Sequence, residues 1–126
     1  MGLNLPSGTP VKQGIEVATV DFIALSRELQ RKLLNGYLAI CIKGKSGIEE
    51  GTLVFDNGKI VASFYEYFKY DRVIMSEPAF ERAINASTAK NGVIDIYQLT
   101  NEQVQLVLAF NEQAIFVPLE RDLRAI

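Results

Sequence analysis

Three stretches of the chain carry residue types that could do chemistry. Gly44-Lys45-Ser46 has the closing residues of a Walker-type phosphate loop, in which backbone N–H groups and a lysine cradle a nucleotide. That loop needs its first glycine where Ala39 stands, and it must open a helix whose N-terminus faces the phosphate. Here the chain runs on into another strand, so an ordinary β-turn accounts for the three residues. Paired carboxylates occur at Glu49-Glu50 and at Glu77 and Glu81. The second pair lies one helical turn apart, where both groups could face one divalent ion. Acidic residues in a first helical turn are also expected simply because they favour the positive end of the helix dipole, and Glu49-Glu50 fits a solvated turn. The third stretch is Phe64-Tyr65-Glu66-Tyr67-Phe68-Lys69-Tyr70, five aromatics in seven residues. Alternation sends Phe64 toward the core with Ile60 and Ala62, and Tyr65 and Tyr67 toward the opposite face. Core packing is the first reading of this run; because five aromatics cannot all lie on one side of an extended segment, a surface for a protein or ligand is the second. Lys69 and Arg72 beside aromatic rings could stack bases, but Glu66 and Asp71 offset their charge.

The residue types that are absent narrow the chemistry further. There is no histidine, which excludes Ser-His-Asp triads, Cys-His dyads and every His-containing zinc site. The single cysteine, Cys41, excludes internal disulfides, CxxC redox pairs and thiolate clusters. Within a strand it reads as a small hydrophobe. Thirteen basic and 15 acidic residues give a net charge of −2, with no run of Lys and Arg longer than a pair. The basic footprint of nucleic-acid binding is missing. No catalytic residue, metal or cofactor is implied.

At 126 residues the chain fits one domain, able to bury roughly two-thirds of its unfolded surface. Hydrophobic content of 48% and charged content of 22% argue against wholesale disorder. The N-terminus lacks the basic region and apolar run of a signal peptide, and no stretch approaches the roughly 18 apolar residues of a membrane helix. Pro6 stands where an acylation signal after Met1-Gly2 would need Ser or Thr. A cytoplasmic protein without membrane attachment is expected.

The elements that must position these residues are organised around Gly51-Thr-Leu-Val-Phe-Asp56-Asn57-Gly58-Lys-Ile-Val-Ala-Ser-Phe64. Asn-Gly between apolar runs is a strong hairpin signal, because a type I′ turn needs φ > 0 at both central positions. In that register Asp56 faces Lys59, Phe55 faces Ile60 and Leu53 faces Ala62, which places Leu53, Phe55, Ile60, Ala62 and Phe64 on one face. Gly36 to Lys43 adds a strand with Leu38, Ile40 and Ile42 on that face, giving a three-stranded antiparallel meander over about 37–65. Its other face is apolar in the middle, at Ala39, Cys41, Val54 and Val61, flanked by Tyr37 and Tyr65. A solvated face should alternate more cleanly, so a later helix or a second subunit is expected to cover it.

A short strand is expected near Gly14–Ala18. Helices are expected over about 21–34, with Phe22, Leu25, Leu29 and Leu33 as the apolar stripe and Gly36 as the left-handed stop, then 77–89 from a Ser76 cap, and 101–112 from the Thr100-x-x-Gln103 capping box. Val93–Tyr97 and Ala114–Val117 read as further short strands. Leu119 to Ile126 fits a final helical turn or the start of further chain.

Gly36-Tyr-Leu-Ala-Ile, the hairpin Gly51-Thr-Leu-Val-Phe-Asp-Asn-Gly-Lys-Ile-Val-Ala-Ser and Pro78-Ala-Phe-Glu-Arg-Ala follow a known pattern. Over about residues 20–90 the chain resembles an uncharacterised archaeal family catalogued only as a domain of unknown function. More distantly it is similar to the PATAN-type domain of bacterial signalling proteins. The resemblance implies a non-enzymatic α+β domain used for protein interaction, with no catalytic residues to carry over. The chain departs from the bacterial pattern before its second helix, where the aromatic run and Ser76-Glu77-Pro78 replace a glycine-containing turn.

The expectation is therefore an α+β domain with a mostly antiparallel sheet, acting as an interaction or scaffold module in signalling or regulation, with a homodimer among its expected assemblies. Its interaction surface would use Tyr65, Tyr67, Phe68, Tyr70, Val54, Val61 and Tyr37. The main rival is a small-molecule or nucleotide-binding regulatory domain that uses residues 64–70 as a pocket wall. A weaker one is an enzyme built on carboxylates, Ser, Lys or Tyr. A shaped cavity along Tyr65 to Tyr70 favours the ligand reading, and a flat apolar face favours assembly.

Overall fold

The computed structural model describes residues 5–118. In chain order these form β1 (Thr9–Glu16), α1 (Phe22–Arg31), β2 (Gly36–Gly44), β3 (Gly47–Asp56), β4 (Lys59–Tyr67), β5 (Arg72–Met75), α2 (Glu77–Ala86), β6 (Gly92–Gln98) and α3 (Asn101–Phe110). All strands join one antiparallel sheet in the order β1-β6-β2-β3-β4-β5, so the expected meander sits at its centre. α1 and α2 supply buried residues to the core on one face of the sheet, and α3 supplies them to a second, smaller core on the other. This is the α+β architecture expected. The stretch Leu119 to Ile126 lies outside the described residues. No helix among the described residues is long and apolar enough to cross a membrane.

The helix ends follow their local chemistry, with differences from the expected bounds. The Asp21 carboxylate accepts from the Ala24 N–H at 3.0 Å and opens α1. The helix stops before Gly36, because Leu33 itself turns left-handed at φ 57°. Leu33 N–H then bonds Gln30 O and Leu34 N–H bonds Leu29 O, both at 3.1 Å, which satisfies the last carbonyls in a Schellman pattern. Leu33 is consequently 58% exposed and leaves the apolar stripe. Ser76 precedes α2, but at φ 70° its side chain caps nothing; its carbonyl instead accepts from Ala79 and Phe80. α2 ends at Ala86, short of 89, where the Ser87 and Thr88 hydroxyls donate to Ile84 and Asn85 carbonyls. The capping box of α3 forms as expected, with Thr100 Oγ1 accepting from Gln103 N and Gln103 Oε1 from Thr100 N.

The hairpin turn also forms as expected, with Asn57 at φ 49° and Gly58 at φ 85°, Asp56 opposite Lys59 and Phe55 opposite Ile60. One step further the register changes. Val54 pairs with Ala62 and Leu53 with Ser63, so Val61 is an extra residue in β4, a β-bulge. Because side chains alternate with period two, the bulge exchanges the faces of everything beyond it. Ala62 and Phe64 join Val54 under α3, while Tyr65 turns into the main core, opposite to the expectation. The extra residue is held from late in the chain. Val61 O accepts from Phe116 N at 3.0 Å, and Ala62 bridges Ile115. The expected strand Ala114–Val117 is reduced to that bridge. Past it, Phe116 packs its ring on Phe80 of α2, with centroids 5.3 Å apart.

Two strands differ from the sequence reading. β1 covers Thr9–Glu16 instead of Gly14–Ala18, and pairs with β6 through two register irregularities, around Pro10–Lys12 and Lys12–Ile15. β5 was not anticipated. It is four residues long, lies between Asp71 at φ 47° and Ser76 at φ 70°, and pairs with Phe64–Tyr67.

Candidate functional site

The face exchange at Val61 builds a cleft at one end of the sheet. Tyr65 lies opposite Gly51, where a Cβ would stand 3.1 Å from both Tyr65 Cδ1 and Ala83 Cβ, so the bare strand lets the ring lie under α2. Tyr65 is 2% exposed and donates its hydroxyl to Glu49 Oε1 at 2.7 Å. Burial, and next that bond to a carboxylate, push the Tyr65 hydroxyl far above its ordinary pKa. Tyr67 meets the Tyr65 ring edge-on at 5.2 Å and accepts at its hydroxyl from Arg82 Nε at 3.0 Å. Arg82 Nη1 also donates to the Pro78 carbonyl one helical turn back, at 3.2 Å. The guanidinium is thereby fixed between α2 and β4.

Two lobes open on either side of this Tyr67–Arg82 contact. The first, of about 560 Å³, is bounded by the turn at Gly44 and Lys45, by Glu49 and Tyr65, and by Glu81 and Asn85 of α2. The second, of about 410 Å³, is bounded by Ser46, Tyr67, Tyr70, Arg72, Ile74 and Arg82. Gly44-Lys45-Ser46 is the tight connection between β2 and β3, with no helix after it, as the sequence indicated, yet its side chains line both lobes. Glu81 reaches the first lobe without Glu77, so the two carboxylates are not brought together there.

Of the residues singled out in the sequence, Tyr65, Tyr67 and Tyr70 gather at this cleft, and Phe68 lies outside its lining. Val54 and Tyr37 are buried beneath α3 of the same chain and form no free surface, while Val61 is partly buried against that cluster. Tyr37 spends its hydroxyl on the Pro6 carbonyl at 3.2 Å and stacks on Tyr97. Arg82 and Asn85 were missed; in the sequence they look like any polar residues on the outer side of a helix.

The same second face carries acidic groups beyond the α3 cluster. Glu50 stands directly across from Glu66, Cys41 across from Glu50, and Ala39 across from Asp95. Burial, then the charges of Glu66 and Asp95, hold the Glu50 carboxyl above the usual range. Burial, then Glu50 and Asp95, push the Cys41 thiol up. Among the described residues no group of three or more Cys, Asp or Glu is arranged to hold a metal ion.

No curated protein and no solved structure matches the chain. A family model does, over residues 3–111, which span the six strands and three α-helices of the described residues. The chain belongs to that family, DUF2226, described as an uncharacterized protein conserved in archaea.

Proposed function

We propose that the domain is a non-catalytic recognition module that takes a small molecule in the cleft between the Lys45–Ser46 turn, β4 and α2. The observation that carries this reading is the Tyr67–Arg82 contact, which stands fixed at the junction of two open lobes. Lobes of about 560 and 410 Å³ have the size of small-ligand sites, and they combine aromatic walls with a few convergent polar groups. The Tyr65 hydroxyl is spent on Glu49 and burial opposes its ionisation, which argues against its use as a nucleophile. A regulatory setting agrees with the resemblance to PATAN-type signalling domains.

A second reading has its own observation. On the outer side of α3, Leu106 is 54% and Phe110 82% exposed, beside Leu5 and Pro6. Apolar side chains grouped in this way suit a protein partner, a second copy of the chain included.

Native mass spectrometry of protein purified from its natural host tests the first reading. A bound small molecule, lost on Asn85→Trp, is expected. An unliganded protein that self-associates, and whose self-association is abolished by Phe110→Ser, would replace the first reading with the second.

A further inference from the structure

Resting on the cleft reading, we infer that the ligand is a phosphate monoester carrying a planar ring, of the nucleoside monophosphate class, with its phosphate between Arg72 and Arg82. The second lobe is rich in hydrogen-bond donors and poor in acceptors. Among the described residues no carboxylate lines it. Arg82 has five N–H donors; Nε is used on Tyr67 and one Nη1 proton on Pro78, which leaves three for a ligand. The Tyr67 oxygen accepts from Arg82, so its own O–H proton remains to donate. The Arg72 guanidinium and the Ser46 hydroxyl add to the same space. Two guanidinium forks with hydroxyl donors match the oxygens of a dianion, and two arginines suit phosphate better than a single carboxylate.

The two lobes also set the ligand's polarity. Across the Tyr67–Arg82 contact the first lobe holds the Glu49 and Glu81 carboxylates and the Asn85 amide, together with Lys45, so its carboxylates outnumber the one lysine. A molecule spanning both lobes therefore carries its anion at the Arg72 end and N–H or O–H donors at the Glu49 end. A nucleoside monophosphate has that order of groups, and its ring lies where Tyr67 and the Arg82 plane can stack on it. Lys69, 5.8 Å from the Tyr70 ring centroid, adds to the positive field at the phosphate end.

Calorimetric titration of the full chain with adenosine monophosphate, adenosine and inorganic phosphate tests this. Adenosine monophosphate is expected to bind more tightly than either fragment. Arg72→Gln and Arg82→Gln should each weaken it about tenfold or more, the loss of a charge-assisted contact, and Arg72→Gln should leave adenosine unchanged. Arg72 is exposed, so its variant keeps the test decisive even if loss of the Arg82–Tyr67 bond disturbs the fold. Adenosine binding as tightly as the monophosphate, with Tyr67 resonances shifted, would overturn the phosphate assignment and leave the cleft reading standing. Phosphate binding as tightly as the monophosphate would overturn the ring. Silence from all three probes overturns the inference, and only an empty native mass spectrum besides would remove the cleft reading with it.

Discussion

Alanine at Gly58 and at Gly14 provides a paired measurement of how α1 seats on the central hairpin. Both glycines hold positive φ, at 85° and 68°. An alanine in that region costs about 1–2 kcal/mol, offset by about 0.4–1 kcal/mol from the smaller entropy of its unfolded chain. At Gly14 no atom lies within 4 Å of the added Cβ, so the net loss should be about 1 kcal/mol or less. At Gly58 the Cβ would stand 2.5 Å from the Gln30 carbonyl oxygen and 3.1 Å from Leu33 Cα, both backbone atoms at the end of α1. Relief means moving the turn away from α1 and stretching the 2.8 Å bond from Gly58 N to Leu34 O. Overpacking of this kind costs about 1–3 kcal/mol, which brings the expected loss at Gly58 to about 1–4 kcal/mol. Urea denaturation of the two variants measures the difference. Equal losses, within about 0.5 kcal/mol, would mean that the end of α1 does not rest on the Asn57-Gly58 turn.

Three further outcomes follow from the electrostatics and hydrogen bonds. The Glu50 carboxyl has its folded pKa raised, so the folded state binds that proton more tightly than the unfolded chain, and stability falls as pH rises through the raised value. Glu50→Gln is therefore expected to raise the melting temperature at about pH 8 and to change little at about pH 4, where the carboxyl is protonated in both states; equal shifts at the two pH values refute the assignment. The Cys41 thiol, raised by burial and by Glu50, should react with iodoacetamide more slowly than a free cysteine peptide, and faster in the Glu50→Gln variant, as followed by mass spectrometry. Tyr65→Phe deletes the 2.7 Å bond to Glu49, whose half-buried carboxylate can recover water, so a loss of about 1 kcal/mol in denaturant melts is expected.

What could be read from the sequence was what neighbouring residues decide among themselves. Asn57-Gly58, Asp21 and the Thr100–Gln103 box act within a few positions, and each does in the structure what its chemistry indicates. The helix stop at Leu33 escaped because a non-glycine residue took the left-handed position that Gly36 was expected to fill. The bulge at Val61 escaped for a different reason. It is held by Ile115 and Phe116, and no local pattern around Val61 records a bond made to the end of the chain. That single residue decided the candidate site. Without the bulge, alternation puts Tyr65 and Tyr67 on the face of Val54 and Tyr37; with it, they meet α2 and Arg82. β5 and β1 were obscured by brevity and by Pro10 and Gly14 respectively.

The irregular strands at the two margins of the sheet have a consequence for crowded solutions. An open margin with free N–H and C=O groups invites other chains to add on, the first step toward fibrils. On one side Pro10 has no N–H to give, and the slips around Lys12 break the spacing that an incoming strand would have to match. On the other, left-handed Asp71 and Ser76 cut the margin to four residues with Arg72 among them, too short a template to propagate. Strand addition at these margins should therefore not be the protein's route to self-assembly.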